Sequence, residues 1–137
     1  MSDVAPDAAT PQIVPAGTVL CRLTDIPDTD TKSFVLGEGD WPLRGLLVRT
    51  GDAVHGYVNR CPHAGHMLSF RPDKFLTPDK ALILCQSHGA LFDKKSGRCV
   101  GGPCVGESLT RVPVVVENGE VRIAEPVDIE KLATRYW

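Results

Sequence analysis

The sequence contains no run approaching the about 18 consecutive apolar residues that a membrane-crossing helix requires, so no membrane anchor of that kind is expected. Charge of one sign is also scarce: 15 Lys and Arg stand against 17 Asp and Glu, a formal net charge of −2. A nucleic-acid binder needs a strongly basic face to neutralise phosphates, and this balance argues against one. Aromatic residues make up only 6 % of the chain, yet the hydrophobic content of 42 % excludes a chain too polar to collapse. A chain of 137 residues buries roughly two thirds of its unfolded surface, so a core can carry the fold without a disulfide framework. The five cysteines are therefore available for chemistry. Residues Met1 to Ala16, rich in Ala, Pro and Asp, lack a basic start, a signal-length apolar run and a twin-arginine pair, and read as a disordered leader. With no export signal the expected compartment is a reducing cytoplasm, where clustered cysteines more often hold metal than bridge one another.

Helical periodicity is nearly absent as well. From Gly17 the chain reads as short strands between turn residues: Thr18 to Leu23, Lys32 to Leu36, Gly45 to Thr50, Ala53 to Asn59, Leu82 to Leu84, Arg111 to Glu117 and Glu120 to Ala124. Asn118-Gly119 is the dipeptide that best tolerates the positive φ angles of a two-residue hairpin, and Thr50-Gly51-Asp52 predicts a second hairpin. Strands at this spacing predict an all-β domain, a small barrel or sandwich, over residues 17–125. The Gly-, Pro-, Cys- and His-dense stretch from Arg60 to Val105 interrupts it with loops, where sites usually sit. Residues 126–137 predict a short helix or docked tail, with Asp128 as N-cap and Ile129 and Leu132 on one apolar face.

Two segments carry metal-binding chemistry, Cys61-Pro62-His63-Ala64-Gly65 and Cys85-Gln86-Ser87-His88-Gly89. Two thiolates and two imidazoles can make a tetrahedral zinc site, so a structural zinc-binding interaction module is one reading. Zinc fingers, however, usually pair Cys with Cys and His with His, whereas here each segment contributes one of each. Matched mixed segments suit a two-iron centre in which one iron takes both sulfurs and the other both imidazoles.

The pattern C-x-H, an intervening segment, then C-x-x-H resembles the Rieske [2Fe-2S] family. The resemblance covers all four ligand positions, and it implies a Rieske-type β-fold with one [2Fe-2S] cluster per chain. Cys61 and Cys85 would hold one iron, His63 and His88 the other. It also implies that a proline-containing loop closes over the cluster, a part that Gly101-Gly102-Pro103-Cys104 resembles. The 21 residues between His63 and Cys85 exceed the family's usual length, and the excess is expected as exposed turns around Arg71-Pro72-Asp73-Lys74 and Thr77-Pro78-Asp79-Lys80. Two ferric ions, two sulfides, two thiolates and two neutral imidazoles sum to zero charge. An all-thiolate cluster would be more negative, so imidazole ligation raises the potential into the range of about −150 to +300 mV. High-potential members add a disulfide between the ligand segments and two hydroxyls near the cluster. By resemblance those positions are His66 and Ser87, then Ala90 and Phe92, which lack these groups, so a potential near the lower end of the range is expected.

The resemblance implies a ferredoxin-like carrier that takes electrons from a flavin-dependent reductase and passes them to a terminal enzyme such as a ring-hydroxylating oxygenase. A small-subunit-like protein of an assimilatory nitrite reductase is the alternative within the same chemistry. An oxygenase in its own right would need a further iron held by two His and a carboxylate. With His63 and His88 committed, only His55 and His66 remain of four histidines. His66 is expected as an exposed loop side chain, His55 as a structural strand residue, and Trp41 and Trp137 as core or turn anchors. Seven basic residues against three acidic ones between Arg60 and Arg98 suggest a docking face for an acidic partner. Of the remaining cysteines, Cys21 is expected as a small core residue; Cys99 and Cys104 bridge, act as redox-sensitive thiols or pack, with packing the default in a reducing compartment.

Overall fold

The computed structural model describes residues 12–37, 42–62, 67–69, 73–86 and 89–133. In chain order the elements are β1 (Ile13–Val14), β2 (Val19–Arg22), β3 (Thr31–Leu36), β4 (Leu43–Thr50), β5 (Ala53–Val58), β6 (Ile83–Leu84), β7 (Leu91–Phe92), β8 (Cys99–Gly101), β9 (Arg111–Val112), β10 (Val114–Glu117), β11 (Glu120–Ile123), β12 (Val127–Asp128) and a short helix α1 (Ile129–Ala133). The all-β class expected from the strand pattern is what the chain adopts. No helix among the described residues is long and apolar enough to cross a membrane.

The centre of the fold is the antiparallel sheet β3-β4-β5-β9. Strand β4 is buried continuously from Gly45 to Val48, as its uninterrupted apolar run requires of a strand covered on both faces. Its register against β3 sets Phe34 opposite Gly45, and the Phe34 ring lies over the glycine where any Cβ would collide with it. The β4–β5 hairpin turns at Gly51, which supplies a φ of +66°.

A second sheet, β10-β11-β2, closes one side. Its hairpin turns at Asn118 and Gly119 with φ of 52° and 77°, the pair of positive angles that the dipeptide announced. The expected single strand from Arg111 to Glu117 divides at Pro113, which has no N–H to donate to a ladder. Its first part pairs with β5 and its second with β11.

Strand β1 overturns part of the leader reading. Ile13 and Val14 pair with Asp128 and Val127, and Ile129 N–H donates to Gln12 C=O at 3.0 Å. An Ile-Val pair is well suited to a pleated edge, and its partner lies more than a hundred residues away, beyond what local pattern can reveal. Residues 1–11 of the expected leader are outside the described residues. At the other end the Asp128 carboxylate accepts the Lys131 N–H at 3.2 Å, capping α1.

Two apolar cores result, separated by the central sheet. Leu43 and Leu47 of β4 and Val54 and Val58 of β5 face the first, with Phe34, Val112, Val121, Ile123 and Ile129. Leu46 and Val48 of β4 and Tyr57 of β5 face the second. That second core is completed by Leu68, Phe75, Ile83, Phe92 and Leu109 from the loop-rich layer, whose own small sheet is β6-β7-β8. The two-residue alternation of each strand thus assigns one face to the scaffold and the other to the loops.

Candidate metal centre

Strand β5 delivers the first ligand segment. Val58 N–H donates to Thr110 C=O and Asn59 N–H to Arg44 C=O, both at 2.8 Å, so the chain leaves the sheet at a fixed point two residues before Cys61. The buried Asn59 side chain then accepts the Leu68 N–H at 2.8 Å, closing the loop that carries Cys61 from its far side. Leu68 C=O in turn accepts the Gln86 N–H at 2.8 Å, which ties this loop to the second segment beside Cys85. Leu68 is therefore a clasp between the two segments.

The second segment is a tight turn between β6 and β7. Cys85 N–H donates to Ala90 C=O at 2.8 Å, and Cys85 C=O accepts the Gly89 N–H at 3.0 Å. Gly89 has a φ of +75° with open space where a Cβ would be, so its glycine answers a backbone conformation and no steric demand. Cys61 and Cys85 both have 0 % exposure, share one core and take part in no disulfide. His63, His66, Ser87 and His88 lie outside the described residues, as do Trp41 and Trp137. The structure therefore places the two sulfur-bearing positions in one buried core, on segments joined through Leu68. Among the described residues, no group of three or more His, Cys, Asp and Glu forms another metal site.

The segment Gly101-Gly102-Pro103-Cys104 lies across this turn. A Cβ on Gly102 would stand 2.8 Å from Ala90 Cα and 3.0 Å from Gly89 O, so only glycine permits this backbone-on-backbone approach. The default expectation for the flanking cysteines is corrected: Cys99 and Cys104 form a disulfide, their Cα atoms 5.9 Å apart where β8 turns back on itself. Cys21 is half-buried and remains a thiol, which burial pushes up from its ordinary value.

The extra length between the segments divides in two. Thr77 to Lys80 is the exposed turn expected, with the Asp79 carboxylate accepting from the Thr77 hydroxyl and the Ala81 N–H. In the earlier part Lys74 is exposed as expected, while Asp73 is half-buried and docks on β3, and Phe75 just beyond is buried in the loop core. The Asp73 carboxylate accepts the Ser33 N–H at 2.7 Å and its hydroxyl at 2.9 Å. These bonds, the backbone one foremost, hold the Asp73 carboxyl below the usual carboxylate range. Arg71 and Pro72 lie outside the described residues.

Tyr57 fastens the scaffold to the far end of the loop layer. Its ring is fully buried, packs on Gly97 and has the Arg111 guanidinium at 5.6 Å, and its hydroxyl donates to Lys94 C=O at 2.9 Å. Burial pushes that hydroxyl up to about 12, so it stays a donor at any ordinary pH. His55, on the same face of β5, has a buried Nε2 with no partner. Burial, then the Arg111 and Lys95 charges, lower its proton affinity from the ordinary value.

Residue pattern missed the Asn59–Leu68–Gln86 clasp. Its one signal was a polar amide at the end of an apolar strand, a usual place for a side chain that closes a loop.

Comparison with known proteins follows the same outline. The family model described as the Rieske [2Fe-2S] domain matches residues 17–124. Among solved structures, the ferredoxin of carbazole 1,9a-dioxygenase from Nocardioides aromaticivorans IC177 is 24 % identical, with 82 % of this chain and 99 % of that one covered and a TM-score of 0.62. A ferredoxin from Sphingomonas yanoikuyae B1 is 23 % identical, with 80 % and 98 % covered and a TM-score of 0.60. A chain from a complex of reduced oxygenase and oxidised ferredoxin in carbazole 1,9a-dioxygenase is 24 % identical, with 77 % and 90 % covered and a TM-score of 0.60. Among curated proteins none matches.

Proposed function

The chain belongs to the Rieske [2Fe-2S] domain family, and from that premise we propose that it works as an electron carrier, with no catalytic site of its own, serving a terminal oxygenase. The observation that carries this reading is the pair of fully buried cysteines, Cys61 and Cys85, on two segments clasped through Leu68 and overlain by a glycine strap. The donor chemistry fits the group: two sulfurs held together in an apolar core, each followed in sequence by an imidazole. The bound cluster supplies storage of a single electron at a potential set by its mixed ligation.

In this reading the Cys61 and Cys85 thiolates hold one iron, and His63 and His88 hold the other. Asn59 and Leu68 fix the spacing of the two segments, and Phe75, Ile83, Ala90 and Phe92 exclude water from the sulfur side. Ala90 and Phe92 are both fully buried and carry no hydroxyl to stabilise the reduced form, which supports a potential near the lower end of the family range. Family membership replaces the zinc-module reading. The near-complete coverage of two ferredoxin chains supports a carrier over a nitrite reductase small subunit. The oxygenase–ferredoxin complex supports a terminal oxygenase as electron acceptor, and a flavin-dependent reductase in the cytoplasm is the donor this chemistry calls for.

The test begins with the purified holoprotein. It should be red-brown, with two irons and two sulfides per chain, and should bleach with dithionite; a colourless protein with stoichiometric zinc sinks the reading. Substituting His88→Ala should abolish the normal visible and EPR spectra, and a retained spectrum means that the ligand assignment is wrong. Protein-film voltammetry giving a potential above about +100 mV would refute the low-potential assignment.

A further inference from the structure

We propose that Cys99 and Cys104 form a second redox site, a two-electron thiol–disulfide couple whose substrate is a dithiol and whose state sets how firmly the strap of residues 101–104 covers the metal centre. The inference rests on the Rieske reading of Cys61 and Cys85. Neither cysteine of the new site belongs to the ligand pattern.

The placement of the bridge carries the argument. Cys99 pairs across β8–β7 with Phe92, and Gly101 pairs with Leu91, so one foot of the strap is anchored in the small sheet. The other foot is Cys104, whose C=O accepts the Glu107 N–H at 2.9 Å while Glu107 C=O accepts the Cys99 N–H at 2.8 Å. Between the feet, Gly102 rests on the backbone of Gly89 and Ala90, the residues that end the turn carrying Cys85. Both bridging sulfurs point inward: Cys99 and Cys104 are buried in the same core as Cys61, Cys85 and Ala90, whereas Gly102 and Pro103 of the strap and Val100 and Val105 beside its feet are exposed.

The bridge closes a ring of only six residues. So small a ring withdraws little freedom from the unfolded chain, and the bond contributes little to global stability. Its effect is local, since it fixes the span between the two feet and keeps Gly102 seated on the turn. When the bridge opens, the strap keeps only its few backbone hydrogen bonds, and the turn beneath gains access to water.

The chemistry balances with an external dithiol. A thiolate of the reductant attacks one bridging sulfur, the Cys99–Cys104 bond breaks and a mixed disulfide forms. The reductant's second thiol resolves it, leaving two protein thiols and an oxidised dithiol after transfer of two electrons and two protons. A one-electron cluster cannot perform this reduction alone, so the couple answers to a thiol pool and not to the electron-transfer partners. Because the sulfurs are buried, exchange requires prior local opening and is slow compared with electron transfer.

The holoprotein is alkylated with N-ethylmaleimide in denaturant and its intact mass read, with and without prior dithiothreitol. Three adducts, on Cys21, Cys61 and Cys85, are expected without dithiothreitol, and five with it. Bleaching of the visible absorption in excess EDTA is then followed for three proteins: the untreated one, the dithiothreitol-treated one after desalting and reoxidation of the cluster, and the Cys99→Ser/Cys104→Ser variant. The second and third are expected to bleach about tenfold faster, the scale on which an outer shell controls metal retention. A coloured protein that takes up five adducts untreated overturns this inference and leaves the Rieske reading intact, whereas a colourless protein overturns both. Three adducts with identical bleaching rates before and after reduction overturn the coupling of bridge to strap. If the double variant does not fold, the reduced wild-type protein decides.

Discussion

Asn59 and Asp73 show how single polar side chains hold a loop-built site in place. The Asn59 carboxamide is buried and satisfies the Leu68 N–H, so Asn59→Ala leaves a buried donor unpaired. It should lower stability by about 1–3 kcal/mol in urea titration of the holoprotein and broaden the EPR signal as the two segments lose their fixed spacing. A sharp wild-type signal would show that Leu68 is held by packing alone. Asp73 makes a prediction about acid. Its carboxyl, like those of Asp28, Asp79 and Asp93, is lowered from 3.8 by hydrogen bonds to the charged form. A depressed folded value means that the stabilisation is fully present above the ordinary aspartate value and is lost as pH falls through the folded value. The contribution of these four carboxylates should therefore be flat from neutral pH to about 5 and fall below the ordinary value, beneath the separate loss that the lowered His55 brings below 6.5. Asp73→Asn keeps an acceptor and tolerates the local φ of 61°, and should flatten part of that acid limb. An unchanged limb would assign it to the other three residues. Both polar anchors escaped the sequence reading, because each acts on a partner that only the fold brings near.

At the scale of elements, legibility followed locality. The Asn118-Gly119 hairpin and the central strands could be read from residue type, because turn chemistry and the two-residue period are local properties. Strands β1, β7, β8 and β12 could not: each is two or three residues long, too short to show a period, and β1 and β12 exist because a distant partner lies beside them. The two Cys-His segments were visible as a pattern, since their chemistry is written in residue identity, and the fold places Cys61 and Cys85 in one core. The strap was legible as a composition of glycine and proline, while its bridge was not, because spacing alone leaves pairing, packing and reactivity open. The strap's seat on the turn also gives a prediction. Gly102 has a φ of +85° as well as no room for a Cβ, so Gly102→Ala must lift the strap. The variant should retain the secondary structure seen by far-ultraviolet circular dichroism while losing its visible absorption in chelator several-fold faster. Equal rates would mean that the contact between strap and turn protects nothing.

At the scale of the whole molecule, the excess of basic over acidic residues between Arg60 and Arg98 makes a prediction about encounter with a partner. The bridge-side turn from Asp93 to Gly97 is held from beneath by Tyr57 and Arg111, which bond the carbonyls of Lys94 and Lys95 and leave their side chains outward. The Lys94 ammonium donates to Lys80 C=O at 2.8 Å, and Lys80 pairs with Asp30 at 3.4 Å, so basic groups gather on this side. Exposed pairs of this kind contribute little to stability, but their field acts over about 10 Å at moderate salt. Reversing both charges with Lys94→Glu/Lys95→Glu should slow reduction by the cognate reductase at low ionic strength, with the difference vanishing as salt is raised. Identical rates across the salt series would remove this face from the encounter.

The alternation along β4 also bears on how the protein is made. Its odd-numbered residues Leu43 and Leu47 close a core that contains neither Cys61 nor Cys85, while Leu46 and Val48 close the core that contains both. The scaffold half needs no iron to bury its apolar face, whereas the loop half has two inward sulfurs whose proper partner is metal. If the Rieske reading holds, a newly synthesised chain is expected to set its central sheet first, with the loop layer closing when the cluster is inserted. In hydrogen exchange, apoprotein should keep β4 and β5 protected while residues 67–69, 83–86 and 89–92 exchange freely, and cluster insertion should close that second set.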